Sequence, residues 1–158
     1  FLTGGSADGS DEPSGEAADT ASPAGETSVP AQAEETSSAE SEEINVYDLE
    51  VGDCVAAVTD GFTVQTVPCS EPHSEEIYAA VTPPEGDFPG YEAIDAQAKE
   101  MCTAEFESFV GLPYEDSMLH VNLVIPSEER WDAGDRTALC TIYDPAGETT
   151  GTLADANR

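Results

Sequence analysis

Residues 51–73 read VGDCVAAVTDGFTVQTVPCSEPH, and this stretch decides the fold. Two largely apolar segments flank the dipeptide Asp60-Gly61, a pattern typical of a β-hairpin with a tight turn. One cysteine stands in each segment, Cys54 at the start of the first and Cys69 at the end of the second. The stretch therefore predicts two antiparallel strands with a covalent link between their outer ends.

The other two cysteines, Cys102 and Cys140, lie much further apart in the sequence. Zinc sites bring their ligands in close pairs such as CxxC, and this chain has no such pair and only two histidines. We therefore expect disulfides, an extracytoplasmic location, no metal and no cofactor. Four cysteines allow three pairings. We favour Cys54 with Cys69, which closes the hairpin, and Cys102 with Cys140, which pins a helix to a sheet.

One helix is predicted between residues 91 and 110. Apolar residues recur there at three- and four-residue spacing, at Ile94, Ala98, Met101, Cys102, Phe106 and Phe109. Gly111, followed by Pro113, is a typical stop signal. Further strands are predicted at 76–81, 118–125 and 136–143, and one helical turn at 127–131. Together these elements predict an α+β domain, in which one main helix packs across a small antiparallel sheet.

The first 44 residues differ in composition from the rest. They carry eleven acidic residues and no Lys or Arg, and small or polar residues fill most of the remainder. Such a segment buries too little apolar surface to offset its chain entropy, so residues 1–44 are predicted to be a disordered linker and residues 45–158 the folded domain. Phe1-Leu2 matches the trimmed end of either a membrane helix or a signal peptide. Any membrane attachment is expected through a segment upstream of Phe1.

The net charge is extreme for a chain of this length. Thirty-four acidic residues stand against four basic ones, which gives a formal charge of −30. Such a surface repels nucleic acid and anionic lipid headgroups and favours partners with a basic surface. A surface tuned only for solubility is the alternative.

Several short motifs of this chain resemble a known family. They are Gly52-Asp53-Cys54, residues 67–76, Phe88-Pro89-Gly90, Pro126-Ser127 with Trp131, and Gly134-Asp135-Arg136 with Cys140. Together they resemble the septum-formation-type extracytoplasmic domain of actinobacterial envelope proteins, over nearly all of residues 45–156. The resemblance implies an N-terminal membrane helix, a low-complexity linker and a domain on the outer side of the plasma membrane, tethered to it or secreted.

Residues 71–75 supply the first candidate interaction site, because His73 lies between Glu71 and Glu75. The functional interpretation of His73 is a metal ligand or a pH-sensitive group, whose charged form the neighbouring carboxylates favour. The alternative is a structural histidine whose ring donates to a backbone carbonyl. A lone histidine supplies too few ligands for tight metal binding. The acidic residues around Trp131 supply the second candidate interaction site.

Enzymatic chemistry is not expected. A nucleophile system needs a free nucleophile beside a histidine and an acid, the four cysteines are assigned to disulfides, and no GxSxG turn occurs. We therefore predict a non-enzymatic interaction or assembly module of an envelope protein, linked to septum formation or to a membrane protein complex. The alternative function is a cation- or small-ligand-binding domain. An envelope hydrolase would require a cleft with converging carboxylates.

Overall fold

The computed structural model describes residues 41–158, so the predicted membrane anchor and most of the predicted linker lie outside the described residues. The described part contains six strands and two α-helices. In chain order they are β1 (Glu42–Asn45), β2 (Cys54–Val58), β3 (Thr63–Val67), β4 (Glu75–Val81), α1 (Tyr91–Val110), β5 (His120–Val124), α2 (Glu128–Asp132) and β6 (Ala138–Tyr143).

The strands form one sheet in the order β1-β3-β2-β4-β6-β5, and every neighbouring pair is antiparallel. Helix α1 packs against β4, β5 and β6 on one face of this sheet. The predicted α+β class, with one main helix across a small antiparallel sheet, is confirmed. The predicted hairpin is also present, since β2 and β3 pair directly and Asp60 accepts hydrogen bonds from the N–H groups of Phe62 and Thr63 in the turn.

Helix α1 has the bounds that its apolar stripe predicts. The residues that it buries are Ile94, Ala98, Cys102, Phe106 and Val110. The helix ends at Gly111, whose φ of 84° lies in the left-handed region and whose N–H donates to the carbonyl of Glu107. A side chain at Gly111 would also meet Asn157, because an added Cβ would lie 2.8 Å from its Oδ1 atom. Glycine is therefore required at this position for two independent reasons.

Both disulfides have the favoured pairing. Cys54 is bonded to Cys69 at the end of the hairpin, and Cys102 of α1 is bonded to Cys140 of β6. Cys102 and Cys140 are fully buried in the core between the helix and the sheet. The second disulfide therefore fixes the position of α1 on the sheet.

The folded domain begins earlier than the sequence predicts. Strand β1 pairs with β3 from Glu42, opposite Thr66, to Asn45, opposite Thr63. The predicted boundary between residues 44 and 45 is therefore wrong, and the domain includes the chain from Glu42 onward. The segment has a single large apolar residue, Ile44, so its local pattern gives no strand signal. Its conformation comes from pairing with a distant strand.

The face of the sheet opposite α1 carries a second, smaller core. Its buried members are Leu49, Val55, Val64, Ile77 and Leu139. Ile44 and Val46 pack against them from the chain that enters the domain. The sheet is therefore covered on both faces.

Residues 149–158 close the fold by contacts with distant segments. The backbone of Thr149 pairs with that of His73, and the side chain of Leu153 is buried in the main core. The N–H groups of Asp155 and Asn157 donate to the carbonyls at the end of α1. This segment therefore joins the start of β4 to the end of the helix.

Candidate functional site

His73 is a buried structural residue. Its side chain has no solvent exposure, its Nδ1 atom lies 2.8 Å from the carbonyl oxygen of Glu71, and its Nε2 atom lies 3.3 Å from the hydroxyl of Thr149. These contacts match an Nδ1–H that donates to the backbone, as in the structural alternative. His73 therefore cannot touch a partner directly, and its assignment to the docking surface is wrong.

The two carboxylates beside His73 have different environments. Glu71 is exposed in the turn before β4. Glu75 is half-buried on β4, where its Oε2 atom accepts a hydrogen bond of 2.6 Å from the hydroxyl of Thr141. The structure therefore leaves Glu71 free to meet a partner and engages Glu75 within the sheet.

Glu76 is a buried carboxylate that the sequence did not single out. It is 3% exposed and accepts hydrogen bonds from the Thr152 hydroxyl at 2.6 Å and the Leu153 N–H at 2.7 Å. Together with Cys54 and Cys69 it forms the one group within residues 41–158 whose ligand atoms are close enough to share a metal ion. Both sulfur atoms are joined in a disulfide, so they offer no thiolate to a metal.

Trp131 is nearly buried and lies in a fixed position. It is 2% exposed, and its indole N–H donates to the carbonyl of Gly86 at 2.9 Å. The ring of Phe88 meets the indole edge to face at 6.1 Å, and the guanidinium of Arg136 lies 5.3 Å from the ring centroid. The ring of Trp131 therefore presents little area to solvent, and it supports a surface feature.

That feature is a groove of about 390 Å³ between the loop before α1 and the outer side of α1. Its floor is largely apolar and includes Trp131, while three exposed carboxylates form its rim. We call it the acidic groove and define it by its lining residues, Pro84, Glu85, Gly86, Asp87, Pro89, Gln97, Glu100, Met101 and Trp131. The sequence analysis missed this site. The local signal that could have found it is the segment 84–89, in which two acidic residues stand between prolines.

Three of the four basic residues are engaged with carboxylates of the domain. Arg130 pairs with Asp135 at 2.7 Å, Arg158 with Asp144 at 3.1 Å, and Arg136 lies 3.9 Å from Glu85. The exposed carboxylates therefore have almost no neutralising partners on the domain surface.

The Asp135 carboxyl illustrates the effect of one such pair. Burial raises its pKa, but hydrogen bonds from Thr137 and Arg130, together with the charge of Arg130, outweigh burial and hold the pKa below its ordinary value. Asp135 is therefore charged in the folded domain and anchors the end of α2.

Comparison with known protein families agrees with the motifs. The sequence model of a family described as septum formation matches residues 20–118 and again residues 51–158. The chain belongs to the septum-formation family. Neither the curated proteins nor the solved structures gave a match to this chain.

The septum-formation match includes all four cysteines and the acidic groove. Family membership and two disulfides fit an extracytoplasmic module related to septum formation. Within residues 41–158, no helix combines the length and the apolar character that a membrane crossing requires.

Proposed function

We propose that this septum-formation protein is a non-enzymatic interaction module of an actinobacterial cell envelope, attached to the plasma membrane and docked onto an envelope or membrane protein with a basic surface. The observation that carries the proposal is the charge of the domain. Three of its four basic side chains are paired internally, so the exposed carboxylates present an uncompensated negative surface to a partner. Such a surface steers association with a basic protein and repels anionic ones.

The disulfides support a binding role over nucleophilic catalysis. All four cysteines are bonded in pairs, so they supply no thiol nucleophile. His73 is buried and holds the turn before β4, which removes it as a general base at an open cleft. The exposed carboxylates are instead suited to recognition of a basic partner.

Crosslinking of the full-length protein in its own cells, followed by mass spectrometry, tests the proposal. We expect one reproducible envelope protein with a basic outer surface. We expect its recovery to fall when cells are treated at high salt, because the screening length between exposed charges falls from about 10 Å at 0.1 M salt to about 3 Å at 1 M. Absence of any envelope partner, or a partner whose recovery does not depend on salt, would contradict the proposal. Micromolar binding of calcium or zinc by calorimetry would favour the cation-binding alternative instead.

A further inference from the structure

We infer that the acidic groove is the contact point of this docking surface and that it takes an extended segment of the partner carrying lysine or arginine. The inference rests on the proposed function and adds the chemistry of the partner segment to it. Its basis is the combination of an apolar floor with a rim that carries three exposed carboxylates.

The floor of the acidic groove suits the aliphatic part of a basic side chain. Pro84, Pro89, Met101 and Trp131 line it. Lysine and arginine bury their methylene groups along apolar surface while the charged end stays among polar groups. The volume of about 390 Å³ lies within the range of pockets that hold a ligand. The groove therefore offers room for a side chain together with part of its backbone.

The rim of the acidic groove suits the charged end of a lysine or arginine side chain. Glu85, Asp87 and Glu100 are all exposed, and within residues 41–158 neither Asp87 nor Glu100 forms an ion pair. Glu85 is held only loosely, since the Arg136 guanidinium lies 3.9 Å away and the Glu85 side chain is 93% exposed. An incoming cation would therefore meet three carboxylates and one guanidinium that is already stacked on Trp131.

The groove is formed before any partner arrives. Trp131 is held by the Gly86 carbonyl and by Phe88, and α1 is held to the sheet by the disulfide of Cys102 next to Met101. The two sides of the groove, the loop beside Trp131 and helix α1, are therefore fixed before a segment enters. Little reordering is needed on binding, which favours affinity.

The arrangement of the carboxylates favours an extended segment over a compact ion or a second copy of this chain. No three carboxylate oxygens of the groove come close enough to share one metal ion, within the part of the chain that the structure describes. A second copy carries the same charge of −30, so self-association through this rim is repulsive. A basic segment that spans the groove places its charges where the carboxylates are.

The single tryptophan of the chain makes the test direct. Trp131 lies in the floor of the groove, so its fluorescence reports on occupancy. The full-length oxidised protein is titrated with a capped pentapeptide of alternating lysine and alanine, at low salt. The glutamate counterpart of the peptide, spermidine and calcium chloride are titrated in parallel. We expect a saturable change in Trp131 emission with the lysine peptide, and a response at least about tenfold weaker with each of the others.

Two variants of equal net charge separate the groove from the general surface. The groove variant is Glu85→Gln/Asp87→Asn/Glu100→Gln. The matched control removes three exposed carboxylates outside the lining, as Glu107→Gln/Asp116→Asn/Glu148→Gln. We expect the groove variant to bind the lysine peptide about tenfold more weakly than the native protein and the control to stay within about threefold of it.

Three results would overturn the inference. They are the absence of saturable peptide binding, an equal loss in both variants, and equally tight binding of spermidine or calcium. Crosslinking in cells distinguishes these failures from failure of the proposed function. If the groove variant captures the same salt-sensitive partner as the native protein, the groove is not the contact point but the docking module stands. If the native protein captures no partner, the proposed function itself fails.

Discussion

The buried carboxylate of Glu76 offers a quantitative test of how residues 149–158 are held to the sheet. It joins β4 to this segment through the Thr152 hydroxyl and the Leu153 N–H. Substitution Glu76→Ala removes both acceptors at once. Substitution Glu76→Gln keeps the shape, since the amide oxygen can accept from Leu153 and the amide N–H₂ can donate to the Thr152 oxygen.

The magnitude follows from the burial of the two donors. Leu153 is 3% exposed, so its N–H loses its acceptor without gaining water, and a buried unsatisfied donor costs about 1–3 kcal/mol. Thr152 is exposed, so water can replace the carboxylate at its hydroxyl at little cost. We therefore expect Glu76→Ala to lower the free energy of unfolding by about 2–3 kcal/mol and Glu76→Gln to lower it by about 1 kcal/mol. The first loss is a large part of the total stability of a small domain.

Urea unfolding of the oxidised protein, followed by far-UV circular dichroism and Trp131 fluorescence, measures both values. Glu71→Ala is the control, because Glu71 is an exposed glutamate in the turn just before β4, and its effect should stay within about 0.5 kcal/mol. If Glu76→Ala is no more destabilising than Glu71→Ala, the hydrogen bonds to residues 152 and 153 do not support the fold and the argument fails.

Two further predictions concern acid and reduction. The pKa of Asp135 is lowered on folding, so its stabilising effect is present above the unfolded pKa of about 3.9 and is lost as the pH falls through the lower folded value. Native protein should therefore lose more thermal stability than Asp135→Asn between about pH 5 and pH 2. Equal losses would contradict this. Cys69 is half-exposed, whereas Cys102 and Cys140 are fully buried, so dithiothreitol should reduce the Cys54–Cys69 disulfide before the Cys102–Cys140 disulfide. Alkylation of the freed thiols followed by mass spectrometry measures the order. Simultaneous reduction or the reverse order would contradict the prediction.

Local patterns account for the elements that the sequence predicted well. The stripe of α1 and the stop at Gly111 are properties of consecutive residues, and the helix has the predicted bounds. The hairpin also depends on neighbouring residues and a tight turn. The pairing of Cys102 with Cys140 was favoured because it joins the helix to the last strand, and both cysteines are buried between these elements.

Contacts between distant residues account for what the sequence did not predict. Strand β1 forms only because it pairs with β3. The hydrogen-bond donors to Glu76 belong to Thr152 and Leu153, which lie 76 and 77 positions further along the chain. The same holds for the acidic groove, whose loop, helix and Trp131 come from three separate segments. The sequence placed His73 and Trp131 among the candidate interaction residues. Both are buried through contacts with Thr149 and Gly86, which no local pattern connects to them.

The position of β1 also decides how the domain would respond to mechanical load. A pulling force on the chain ahead of Glu42 acts first on β1, a four-residue strand at the edge of the sheet. Beyond it the chain is held by the buried side chain of Leu49 and by backbone hydrogen bonds that Gly52 and Asp53 form with Ile77. Peeling β1 alone would lengthen the connection by at most about 14 Å at roughly 3.3–3.6 Å per residue. Strand β1 pairs with β3 at the edge of the sheet, so its detachment breaks none of the contacts that place α1 on β4, β5 and β6.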